Sequence, residues 1–196
     1  MMASRRKTIR PHLGPARLAG LLAAMLLAPA MAAAEVTSTD ANGFGIVQQR
    51  NLPGVTPQQA WAAMTRRVGS WWDPSHTWSG DASKLNLEAK PDGCFCEWLP
   101  NGGWAEHMRV VYLVPGQSLR LRGGLGPLME LGLSGTMTWR VSARETSGDT
   151  AAGTLVEWRY IVSGHRPEGF ADLAPAVDGV LGQQLDRLAD SLASQP

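Results

Sequence analysis

The stretch Leu173-Ala174-Pro175-Ala176-Val177-Asp178-Gly179-Val180-Leu181-Gly182-Gln183-Gln184-Leu185-Asp186-Arg187-Leu188-Ala189-Asp190-Ser191-Leu192 decides the fold. Leu173, Val177, Val180, Leu181, Leu185, Leu188 and Leu192 recur at three- and four-residue steps, with Asp178, Gln183, Asp186, Arg187 and Asp190 outside that stripe. This spacing predicts one long helix with a single apolar face. Pro167 and Pro175 stand where a short turn and the main helix would begin. A lone amphipathic helix needs an apolar surface to lie on, and the chain before it supplies one.

Phe44, Ile46 and Gln48 alternate with small or polar residues and read as a first strand. Thr56-Pro57-Gln58-Gln59 then opens a helix: Thr56 caps the free amides, Pro57 suits the first helical position, and Gln59 completes a capping box. Ala60, Trp61, Met64 and Val68 form its apolar stripe against Gln58, Thr65 and Arg66, and Gly69 should end it. Ser70-Trp71-Trp72-Asp73-Pro74 makes the following turn. Beyond Gly80 the period becomes two. Leu85, Leu87 and Ala89 share a face; Pro91-Asp92-Gly93 turns the chain into Cys94–Leu99; Asn101-Gly102-Gly103 turns it into Trp104–Val114. Pro115-Gly116 leads to Leu119 and Leu121. Met137, Trp139 and Val141 share a later face, as do Val156, Trp158, Tyr160 and Val162, with Glu157 and Arg159 opposite. The glycine-rich Gly123–Gly135 reads as a short strand or a mobile lid. It lacks the strand-turn-helix order of a phosphate loop. The resulting order is strand, helix, six or so antiparallel strands, then a long helix. That is an α+β domain with a helix across a curved sheet.

The first 34 residues read as an export signal. Arg5, Arg6, Lys7, Arg10 and Arg17 form a basic leader, Leu18–Ala28 is a short apolar run, and Ala32-Ala33-Ala34 offers a cleavage site. The run is shorter than the ~20 residues a membrane span needs, so no stable anchor is expected after cleavage. Ser4-Arg5-Arg6 matches the start of a twin-arginine signal, but Lys7-Thr8 after it lack the large apolar side chain that such a signal carries. The expected location is periplasmic or secreted. Residues 35–42 read as a flexible N-terminus and 43–193 as one domain. Without the leader, 13 basic residues face 17 acidic ones, a formal −4, which leaves no basic footprint for nucleic acid.

Cys94 and Cys96 are the only cysteines. In a regular strand they point the same way with α carbons roughly 6.5–7 Å apart, the edge of what a disulfide tolerates. They read first as buried free thiols. A strained disulfide, which a bulge would permit, and metal ligation stay open beside that reading. No other cysteine or well-spaced histidine pair completes a zinc set, so no metal is expected.

Eight tryptophans in 196 residues, three of them at Trp71, Trp72 and Trp78, are more than a small core needs. Each ring can bury about 150–250 Å². The element order, Ser70-Trp71-Trp72-Asp73-Pro74 after the first helix and Met137-Thr138-Trp139 on a late strand resemble the START-like (SRPBCC) superfamily, the helix-grip fold. That superfamily includes pollen allergens, polyketide cyclases and heat-shock-chaperone ATPase activators. Gly93-Cys94-Phe95-Cys96-Glu97, Glu106-His107-Met108-Arg109-Val110-Val111, Gly124-Leu125-Gly126-Pro127-Leu128 and Ala174-Pro175-Ala176-Val177-Asp178-Gly179-Val180-Leu181 look like a bacterial, polyketide-cyclase-like branch. The resemblance covers about Phe44 to Leu192 and speaks to fold more than to activity.

The resemblance implies a cavity between the terminal helix and the concave sheet, holding a small hydrophobic molecule such as a lipid, aromatic or polyketide, with no cofactor. By alternation Met137, Trp139, Val156, Trp158 and Tyr160 should face it, with Val177 and Leu181 above. Met108, Val110 and Tyr112 pointing inward leaves His107 and Arg109 outward, an assignment one bulge would reverse. Trp72 and Trp78 are placed at the mouth. The polar candidates are His76, His107, Glu97, Glu106 and Tyr160; no Gly-x-Ser-x-Gly, His-Glu-x-x-His or Cys-His signature occurs. A carrier or sensor is the first expectation. A cyclase- or dehydratase-like enzyme using His107 or Tyr160 is the alternative. ATPase activation, which the family name invites, fits poorly with export.

Overall fold

A computed structural model describes residues 35–146 and 151–194; the leader read over residues 1–34 lies outside them. The strands are β1 (Glu35–Thr39), β2 (Gly43–Pro53), β3 (Leu85–Leu87), β4 (Cys94–Trp98), β5 (Trp104–Val114), β6 (Ser118–Gly123), β7 (Ser134–Arg144) and β8 (Gly153–Ser163). Helix α1 (Pro57–Arg66) follows β2, and α2 (Leu173–Ala193) closes the described chain. The strands form one antiparallel sheet in the order β1-β2-β8-β7-β6-β5-β4-β3. With α2 lying across it, this is the helix-grip arrangement. No described helix is long and apolar enough to cross a membrane.

The local signals act as their chemistry dictates. Thr56 caps α1 and Gln59 reaches back, so the capping box forms in full. The helix stops at Arg66, earlier than Gly69, and a 3₁₀ turn over Val68–Ser70 carries the chain on. Thr65, placed outside by periodicity, is buried, and its hydroxyl is satisfied by donating 2.8 Å back to the Trp61 carbonyl. The segment read as a flexible N-terminus contains β1, paired from Glu35↔Val47 to Thr39↔Phe44, where the open edge of β2 offers it partners. Gly123–Gly135 does not form a strand of its own. It closes β6, makes a 3₁₀ turn at Gly126–Leu128, and opens β7.

Two links seat α2. On β2, the Gln48 amide donates to the Asp178 carbonyl (3.1 Å) and carboxylate (2.7 Å). A Cβ at Gly182 would stand 3.3 Å from that amide, so the small residue admits the close crossing. From the turn after α1, the Asp73 amide donates to Gln184 Oε1 (2.7 Å), Gln183 donates to the Asp73 carboxylate (2.9 Å), and Arg187 donates to the Trp71 carbonyl (2.9 Å).

That turn also sends two rings inward. Trp71 and Trp72 pack on Trp158 with centroids 5.9 and 6.5 Å apart, and Trp158 stacks on Trp139 at 4.8 Å. Phe95 meets Trp72 and Trp139 edge-on. All five rings are buried. Trp158→Ala is expected to cost about 3–5 kcal/mol in chemical denaturation. Trp98→Ala, at a ring 60% exposed, should change stability by about 0.5 kcal/mol or less.

Candidate functional site

The aromatic block fills the middle of the space between sheet and helix but not its end. Beside it lies a cavity of about 320 Å³. Its floor is Leu85, Phe95 and His107 from β3, β4 and β5; its roof is the first half of α2, through Leu173, Val177, Val180 and Leu181. One wall is the loop carrying Leu125, Pro127, Leu128 and Leu131, the other the turn from Trp72 to Trp78. The lining is almost wholly apolar, which suits burial of an apolar guest, and the volume sits at the small end of ligand pockets. The second half of α2 presents Leu185, Leu188 and Leu192 to solid core.

Of the residues expected at a ligand, Trp72, Trp78, Val177 and Leu181 line this cavity. Trp72 is buried, and its indole donates 3.1 Å to the His76 carbonyl, while Trp78 stands 45% exposed at the rim. Met108, Met137, Trp139, Val156, Trp158 and Tyr160 face inward but are absent from the lining, packed within the core. The reason is that Trp71 and Trp72 fold over β8 and occupy the room above it. Tyr112 points outward. A bulge between Val110 and Tyr112 reverses its side, leaving it 47% exposed with the Arg120 guanidinium 5.2 Å from its ring.

A second bulge, between Phe95 and Cys96, acts on the other end of β5. It turns His107, expected outside, to the interior, where its ring packs 5.6 Å from Phe95. It also draws the α carbons of Cys94 and Cys96 to 5.3 Å. The cysteines are joined in a disulfide on the partly exposed outer side, not buried as free thiols. Glu106 lies close to them and pairs with Arg109, so it does not reach the cavity. His76 is exposed at the rim, 3.3 Å from Gln183.

Glu97 is the polar group that organises the site. Fully buried, its carboxylate accepts the backbone N–H of Trp78 (3.0 Å) and of Ser79 (2.5 Å), and faces His107 Nε2 at 3.1 Å. It therefore ties the rim turn to the floor. Desolvation pushes its pKa up, but the hydrogen bonds from Ser79, Trp78 and His107 outweigh that and hold it below the ordinary carboxylate range. Burial also pulls His107 below the usual histidine range, against the opposing pull of Glu97. Burial raises the Tyr160 phenol to about 12, and its oxygen accepts the Leu125 N–H at 3.2 Å. A Cβ at Gly135 would come 2.6 Å from the Tyr160 ring, so that glycine makes room for it. Tyr160 thus pins the wall loop instead of facing a guest.

The fold is similar to that of several solved proteins. A putative uncharacterized protein from Rhizobium leguminosarum aligns with a TM-score of 0.56 at 16% identity, covering 81% of this chain and 100% of that one. Ara h 8.0201 gives 0.54 at 8% identity over 77% and 98%. Ginseng major latex-like protein 151 from Panax ginseng gives 0.50 at 13% over 79% and 99%. At these identities the likeness is one of fold. No family model matches the chain, and no curated protein matches it.

The shifts fix a pH dependence. With its folded pKa below its ordinary 6.5, His107 contributes stability above that value, which is lost as pH falls and the unfolded chain takes the proton first. Glu97, also lowered, adds a loss at lower pH, below its ordinary 4.5. Urea midpoints are expected to fall from about pH 7 to about pH 5, and to fall less in His107→Phe. Equal slopes in the two proteins would contradict the assignment.

Proposed function

We propose that this chain is an exported binding protein that holds a small apolar molecule between the first half of α2 and the β3–β5 end of the sheet. The observation that carries the reading is the hollow of about 320 Å³, walled by leucine, valine, phenylalanine and tryptophan side chains. An empty apolar space of that size gives up packing contacts that a guest would restore. Export rests on the basic, alanine-rich leader of residues 1–34. Binding is favoured over cyclase- or dehydratase-like turnover because His107 is the one buried titratable side chain in the lining, while Tyr160 is engaged elsewhere. Acid–base turnover needs groups that can both give and take a proton at the reacting atoms.

The neutral dye N-phenyl-1-naphthylamine is expected to bind saturably with enhanced fluorescence. Leu181→Trp, which fills the roof, should abolish that signal while unfolding stays cooperative. Trp78→Ala should weaken binding several-fold and leave stability within about 0.5 kcal/mol, since its ring is half-exposed. Fluorescence that rises without saturation, or persists unchanged in Leu181→Trp, would refute the pocket as the binding site.

A further inference from the structure

Resting on that reading, we infer that the pocket selects, among apolar molecules, those carrying a hydrogen-bond donor such as a hydroxyl, which His107 Nδ1 accepts from inside the cavity. Three observations lead there. First, both Glu97 oxygens accept backbone N–H groups, from Ser79 at Oε1 and Trp78 at Oε2. A carboxylate so engaged is the ionised, acceptor-only form, so the hydrogen in the 3.1 Å contact with His107 must sit on Nε2. A second hydrogen, on Nδ1, would find no acceptor among the described residues, and burial disfavours the charge it would bring, so the ring is neutral. Nδ1 is consequently a bare lone pair.

Second, no group among the described residues uses that lone pair. His107 makes one side-chain hydrogen bond, through Nε2. Among the described residues, the buried side-chain nitrogens sealed off without a partner are Trp139 Nε1, Trp158 Nε1 and Gln184 Nε2. Nδ1 is not among them, so it keeps access to open space, and the open space beside this ring is the cavity.

Third, the other polar side chains of the lining sit at the rim, where solvent reaches them, and their hydroxyl hydrogens are already donated elsewhere. The Ser75 hydroxyl donates to Asp73 (2.8 Å), the Thr77 hydroxyl to the Pro74 carbonyl (2.7 Å), and His76 meets Gln183. His107 is the one buried polar side chain among those that line the site. An acceptor placed alone in an apolar wall discriminates by what it leaves unpaired: a guest without a donor strands it, and a guest with only an acceptor opposes it.

The test compares 1-naphthol, 1-methylnaphthalene and 1-methoxynaphthalene, of closely similar shape, by calorimetry on the mature protein and on His107→Phe. The naphthol-to-methylnaphthalene affinity ratio is expected to fall about tenfold in the variant, the worth of one hydrogen bond in a dry site. The methoxynaphthalene-to-methylnaphthalene ratio should show no such fall. Independently of any variant, ¹⁵N spectra of the wild-type ring should show a proton on Nε2 and none on Nδ1, with the Nδ1 resonance moving on addition of naphthol but not of methylnaphthalene. Unchanged ratios with all three bound, or a proton found on Nδ1, overturn this inference and leave apolar binding standing. Failure of all three to bind overturns the pocket itself.

Discussion

Two neighbouring indoles from one turn divide the space under the long helix, and the place of the cavity follows from that division. Trp71 and Trp72 descend on Trp158, while the backbone and carboxylate of the same turn hold Gln183, Gln184 and Arg187 of α2. The rings and the hydrogen bonds are made by three consecutive residues, so the helix cannot settle onto the sheet without displacing the indoles, nor the indoles leave without releasing the helix. Aromatic pairs of this kind add about 0.5–1.5 kcal/mol beyond burial of their area. The second half of α2 rests on filled core, and the first half spans a gap.

Where the gap lies is set by this chain's side chains. Its floor lies on the β3–β5 end because Trp71 and Trp72 fill the room above β8. Its rim is held by Glu97, which binds the turn carrying Trp78 from below, and its far wall by Tyr160, which binds Leu125. Both anchors are buried polar groups with their partners in place, the condition under which burial of polarity is tolerated. The cavity is therefore held open by directional bonds as well as by packing.

Much of the architecture was legible from period and punctuation. The capping box at Thr56, the strand Trp104–Val114 and the leucine stripe of α2 all appear where their patterns place them. The site was legible only in part. Val177 and Leu181 follow from helical spacing, and Trp72 and Trp78 from their loop. The interior tryptophans were correctly turned inward, yet alternation gives a side chain's direction and not what already fills the space it enters. His107 and Tyr112 of β5, both candidates from the sequence, take the faces opposite to those that alternation assigns. Each bulge shifts parity by one residue, reversing Tyr112 and His107 relative to a regular strand. Nothing in the residue types of β5 marks a bulge. The Cys94–Cys96 bond, which the regular strand spacing disfavours, shares the bulge that turns His107 and is the nearest thing to a signal of it.

The central claim, that an apolar hollow persists beneath the first half of α2, is tested most directly by diffraction from a crystal pressurised with xenon, which enters dry apolar cavities. Ordered xenon density is expected between Val177 on the helix, Leu128 on the wall and Phe95 on the sheet. A map in which those side chains meet across the space, with no xenon between them, would contradict it.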